Sequence, residues 1–134
     1  MEREQINFEV VNKGKVPEIK IYGYIGKWDE VNLEGLKRKI EAVVAKNDEV
    51  KLLINSGGGS VLEGFAIYDM LAKADIKVHA VVEGMAASMA SIILLAADNI
   101  DIYENARIMT HKPKAGWWGE ADGMRGMADT MDDM

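Results

Sequence analysis

A serine in Gly84-Met85-Ala86-Ala87-Ser88-Met89 and a histidine in Met109-Thr110-His111-Lys112-Pro113 are the residues best placed to do chemistry in this 134-residue sequence. A serine hydroxyl becomes a nucleophile when a neutral imidazole takes its proton, and the same imidazole then protonates the leaving amine. Ser88 follows a glycine and two alanines, small neighbours that let a peptide backbone come close. It also falls near the start of an expected helix, whose free N–H groups and positive dipole end suit a developing oxyanion. Taken alone, a serine at a helix start is more often structural. The hydrolase elbow G-x-S-x-G is absent, since Ala86 and Ala90 occupy its glycine positions. His111 read alone is equally a surface histidine at a strand end. The acid that would complete a triad has no obvious seat.

Other features admit chemistry less specifically. Gly57-Gly58-Gly59 follows a strand and opens a helix, the setting of a phosphate-binding loop, yet it carries neither the P-loop lysine nor a G-x-G-x-x-G pattern. The same glycines equally permit close approach of another peptide or supply an oxyanion N–H. His79, between Val78 and Ala80, reads as structural or solvent-facing. Trp117 and Trp118 suit a substrate contact, an oligomer contact, or core packing of one and exposure of the other. Met124, Met127, Ala128 and Met131 recur at helical spacing and read as a packing face, while the acids of the tail form a solvated one.

Composition narrows the classes. About half the residues are apolar, and the length suits one domain with a hydrophobic core. A net charge of −6 argues against nucleic acid and against an anionic membrane surface, because both require clustered Lys and Arg. The absence of cysteine rules out a disulfide, a thiolate nucleophile and a Cys-ligated metal, and fits a reducing, cytoplasmic setting. His79 and His111 lack a metal-ligand spacing, so neither metal nor cofactor is expected. The charged N-terminus, Met1 to Gln5, has no signal-peptide core. The uncharged stretch from Gly84 to Ala97 is too short to span a bilayer and reads as a buried helix.

The elements that must position Ser88 and His111 follow from periodicity. Residues 6–12 and 18–25 alternate as strands. Asn32 is placed as the N-cap of a helix carrying Leu33, Leu36, Ile40, Val43 and Val44, with Glu34 and Arg38 paired on its wet face. A strand from Glu49 to Asn55 leads through the glycines into a helix over residues 61–74, with Leu62, Phe65, Met70 and Leu71 as inward candidates. Lys77 to Val82 is the next buried strand, Gly84 turns the chain into a helix through about Ala97, and residues 99–110 are extended. Strands joined by helical crossovers predict an α/β domain with a mainly parallel sheet.

Four segments in order resemble the ClpP family of self-compartmentalised serine peptidases. Ile54-Asn55-Ser56-Gly57-Gly58-Gly59-Ser60-Val61 is similar to its I-N-S-P-G-G-x-V loop, with Gly57 where proline is usual. Gly64 to Asp69 resembles the following G-x-x-I-Y-D helix. Gly84 to Met89 matches the G-x-A-A-S-M nucleophile segment, and Arg107 to Pro113 matches R-x-M-x-H-x-P. A softer resemblance, carried by residues 22–31, 116–122 and 127–129, is to phage-encoded ClpP-related head maturation proteases.

The resemblance implies a ClpP/crotonase-like spiral of βαβ units over residues 1–134, a single domain that stops within the family's handle helix. It implies Ser88 as nucleophile, His111 as general base, and the N–H groups of Gly59 and Met89 as the oxyanion hole. It further implies that Gly58, Ser60, Val61 and Pro113 contact an extended polypeptide substrate by strand addition. A homo-oligomeric ring, an ATPase partner and phage capsid or scaffold substrates belong to the same implication. The family's triad aspartate lies further downstream than this sequence reaches, so no residue here takes that role by motif. Two other readings stay open: a crotonase-like enzyme binding acyl-CoA thioesters, and a non-catalytic assembly module.

Overall fold

The computed structural model describes residues 16–134, so the strand expected over residues 6–12 lies outside the described residues. The elements run β1 (Glu18–Tyr22), α1 (Leu33–Val44), β2 (Glu49–Ser56), α2 (Val61–Lys73), β3 (Lys77–Ala87), α3 (Met89–Leu94), β4 (Asn99–Ile102), β5 (Arg107–Met109) and α4 (Ala121–Asp132). The sheet follows sequence order, β1-β2-β3-β4, with β5 pairing the far end of β3, and every one of these pairs is parallel. The strand–helix–strand–helix–strand centre is the α/β unit expected from the sequence.

Alternation dictates which face each strand buries. In β2, Val50, Leu52, Ile54 and Ser56 point inward while Lys51 and Asn55 do not. Ile19 and Ile21 of β1 and Val78, Ala80 and Val82 of β3 join the same layer. The helices close over it with Leu36, Ile40 and Val43 from α1, Ile67 and Leu71 from α2, and Ile93 and Leu94 from α3, in one hydrophobic cluster. Each fully buried aliphatic side chain here contributes about 1.5–3 kcal/mol. The opposite face is polar: Tyr22 donates a hydrogen bond to Glu83, and His79 Nε2 lies 2.8 Å from Asp101 Oδ2. Burial first, then the Glu83 bond, pushes the Tyr22 hydroxyl up from 10.0 to about 12.

Local signals explain the helix starts. The Asn32 side chain accepts from the Gly35 N–H at 2.8 Å, and Ser60 accepts from Glu63 at 3.3 Å. Glu63 then reaches across to accept the Leu33 N–H at 2.7 Å, tying α2 to the first turn of α1. The inward stripe of α2 is Gly64, Ile67 and Leu71; Leu62 is 76% exposed and Phe65 lies partly open, contrary to expectation for both. No helix among the described residues is long and apolar enough to cross a membrane.

Candidate active site

Ser88 owes its position to an irregularity in β3. The strand pairs Val82 with Ile54, then Ala86 with Ser56, so β3 spends more residues than β2 over this stretch. Gly84, at φ +82, sits inside the irregularity, where a Cβ would stand 2.8 Å from Asn55 Oδ1. Such a bulge re-aims a strand. Beyond it Ala86 keeps one shifted pairing with β2, at Ser56, and Met85 to Ala87 pair with β5. The expected helix start at Gly84 is therefore a strand that runs to Ala87, and the helix itself is only Met89–Leu94.

The strand-to-helix corner falls on Ser88. Its φ of 55° and ψ of −126° make it the one non-glycine residue at positive φ among those described. A side chain held there costs about 1–3 kcal/mol and persists only where neighbours over-determine it. They do so here. The Ser88 N–H donates to the Met109 carbonyl at 2.8 Å, while its own carbonyl accepts from the Ser91 N–H at 3.0 Å and the buried Ser91 hydroxyl at 2.6 Å. The elbow glycines absent from the sequence are not required for this turn.

The glycine loop packs directly beneath it. A Cβ on Gly58 would stand 2.6 Å from Ser88 Cβ, and one on Gly59 only 2.0 Å from the Ile25 carbonyl oxygen, both at positive φ. Ile25 is laced into the loop, its N–H donating to Gly58 at 2.9 Å and its carbonyl accepting from Ser60 at 2.8 Å. The glycines are thus needed for contact with the chain's own backbone, which accounts for them without a phosphate. The N–H groups of Gly59 and Met89 meet no backbone acceptor among the described residues.

Ser88, Met89, Gly59, Val61, His111 and Pro113 line one open cavity of about 300 Å³. Gly58 and Ser60 do not line it: the first lies under Ser88 and the second caps α2. Phe65, Ile92 and Thr110 also line it, and neither Ile92 nor Thr110 is marked as a site residue by its sequence pattern. Ser91 lines it too, and its spacing of three from Ser88 is the one signal of this in the sequence. His111 is exposed, and its Nδ1 lies 2.6 Å from the Lys112 carbonyl oxygen. A carbonyl only accepts, so Nδ1 carries the proton and the neutral ring keeps its lone pair on Nε2. That is the tautomer a general base requires. No hydrogen bond joins His111 to Ser88 or to a carboxylate among the described residues; the histidine with an acid partner is His79. Trp118 is almost fully exposed, and Trp117 lies over Gly119 and Gly123 rather than in the core.

The Clp protease family profile matches residues 38–134, a span that includes the glycine loop, Ser88 and His111. The chain belongs to the Clp protease family. The ATP-dependent Clp protease proteolytic subunit 2 of Nocardia farcinica is 42% identical over 83 residues, which cover 60% of this chain and 41% of the relative. A ClpP1 mutant from Listeria monocytogenes shares the fold with a TM-score of 0.74 at 27% identity, covering 87% of this chain and 64% of that one. The chain thus spans less than half the length of the curated relative and less than two thirds of the solved one. The ClpP-type α/β fold expected from the sequence is the fold observed.

Proposed function

We propose that this chain is a single ClpP-like domain that hydrolyses peptide bonds with Ser88 as nucleophile and His111 as general base. The observation that carries this reading is the strained turn at Ser88, which opens on the same cavity as His111. In the first half-reaction the Ser88 Oγ–carbonyl bond forms and its proton passes to His111 Nε2. The Gly59 and Met89 N–H groups hold the developing oxyanion. The C–N bond then breaks as the amine takes the proton from His111. In the second half water repeats the sequence, releasing the acid and restoring the serine.

Val61 and Pro113 flank the path of an extended polypeptide; Gly58 and Ser60 act on it through the loop backbone they brace. The resemblance of residues 22–31, 116–122 and 127–129 to phage-encoded relatives directs the substrate toward capsid or scaffold polypeptides. A homo-oligomeric ring in the cytoplasm and an ATPase partner, as the relative's description as ATP-dependent suggests, complete the proposal. A fluorophosphonate probe tests it: labelling is expected at Ser88 in the wild-type chain and is expected to vanish in Ser88→Ala. Labelling that survives that substitution, or is absent from the wild type, rejects the reading. The assembly-module alternative draws on the exposed Ile100, Ile102 and Ile108 of β4 and β5, and it predicts no labelling at all.

A further inference from the structure

We propose that Ser56 is a positioning residue for the oxyanion side of the cavity, an inference that rests on the peptidase reading above. Ser56 ends β2 and is 2% exposed, one of two buried polar residues among those described. Its hydroxyl donates to the Gly23 carbonyl at 2.7 Å and accepts the Gly58 N–H at 3.1 Å. Both capacities of one buried oxygen are therefore spent on backbone, one on each side of the cleft's floor. The Gly23 N–H returns a bond to the Asn55 carbonyl at 3.1 Å, so the two segments are stitched in both directions.

The consequence falls on the next glycine. Gly57 and Gly59 line the cavity and Gly58 does not. By accepting the Gly58 N–H, Ser56 holds that peptide away from the cavity, and the adjoining Gly59 N–H, on the cavity's lining, meets no backbone acceptor among the described residues. The hold is needed because positive-φ glycines resist rotation weakly. Gly58 also bears on the nucleophile itself, since a Cβ there would stand 2.7 Å from the Ala87 carbonyl oxygen and 3.0 Å from the Met89 nitrogen. One hydroxyl thus sets the height of the loop under Ser88 and the direction of the donor beside it. Removing it leaves the Gly58 N–H buried and unpaired, and the loop recovers a partner by turning.

The test compares Ser56→Ala and Ser56→Thr with the wild-type chain. Fluorophosphonate labelling of Ser88 is measured to saturation, so that probe affinity separates from the rate of bond formation. In Ser56→Ala the maximal rate is expected to fall roughly tenfold to a hundredfold, less than complete loss of a donor, with probe affinity within about twofold. Ser56→Thr keeps the hydroxyl and is expected to recover most of the rate. Wild-type rates in Ser56→Ala, or a threonine variant as slow as the alanine one, overturn the proposal. Amide hydrogen exchange by NMR gives a readout independent of catalysis. Gly58 is expected to exchange about tenfold faster in Ser56→Ala while the Leu52 and Ile54 amides keep their protection. An unchanged Gly58 rate overturns the proposal whether or not the probe reacts. A wild-type chain that fails to label, with Gly58 responding as expected, rejects the peptidase reading while the positioning of the loop stands.

Discussion

Ser88 and His111 face one cavity from two different kinds of structure. Around Ser88 every nearby backbone choice is forced: a positive φ is held by three hydrogen bonds, and two glycines are pressed against neighbouring backbone. His111 follows β5, whose three residues are all exposed, and leads into a segment ending in α4, which buries no residue. The side of Ser88, the proposed nucleophile, is built by packing; that of His111, the proposed base, is placed by a short strand pair and a backbone carbonyl. The contrast teaches that the geometry at Ser88 is a property of the core, whereas that at His111 is set locally.

Glycine-to-alanine substitutions sharpen this contrast most strongly. Gly59→Ala is expected to destabilise the fold by about 3 kcal/mol, combining strain at φ +153 with a clash at Ile25. Gly126, inside α4, has open space at its Cβ. There the same change is expected to favour the helix by about 1 kcal/mol and leave the unfolding midpoint in place. Urea melts and helical circular dichroism check both; equal losses at the two sites would break the contrast.

A smaller effect is expected at the turn itself. Ser88→Gly relieves the positive φ and is expected to be about 1 kcal/mol more stable than Ser88→Ala, which retains it. Thermal melts of the two inactive variants decide this. Equal stability would mean that the turn is unstrained.

The smallest effect lies on the polar face, away from both sides of the cavity. The Tyr22 hydroxyl is raised, so the folded state favours its protonated form. Its contribution is therefore complete below pH 10 and is lost as pH rises through about 12. Tyr22→Phe is expected to cost about 1 kcal/mol at neutral pH. The difference from wild type should close across that alkaline window in chemical denaturation series. A gap constant with pH would show that the Glu83 bond contributes nothing to it.

What the sequence made legible follows the same division. The Asn32 cap, the alternation in β2 and the helical crossovers announce themselves because each signal is local. The reach of β3 to Ala87 is hidden in the sequence: Gly84-Met85-Ala86-Ala87 carries no strand signature, and pairing of Ala86 with Ser56 and of the stretch with β5, some twenty residues away, makes it extended. Phe65 was misread because its exposure depends on the cavity between α2 and the Ser88 turn. Ser88, His111, Gly59 and Met89 were singled out by motif order rather than by spacing. Ser56 stands in the same matched loop, yet its role is not legible there, since its partner Gly23 lies 33 positions earlier.

The bond from the Ser88 N–H to the Met109 carbonyl has a mechanical consequence. Met109 ends β5 two residues before His111, so the strand that leads to the histidine is bonded to the residue that follows β3. The two segments are coupled by that bond and by the pairing of Met85 to Ala87 with Arg107 to Met109, as two instruments are bolted to one rail. The spacing of the two backbones that the proposed proton transfer would depend on is thus set by β3 and β5 as a pair.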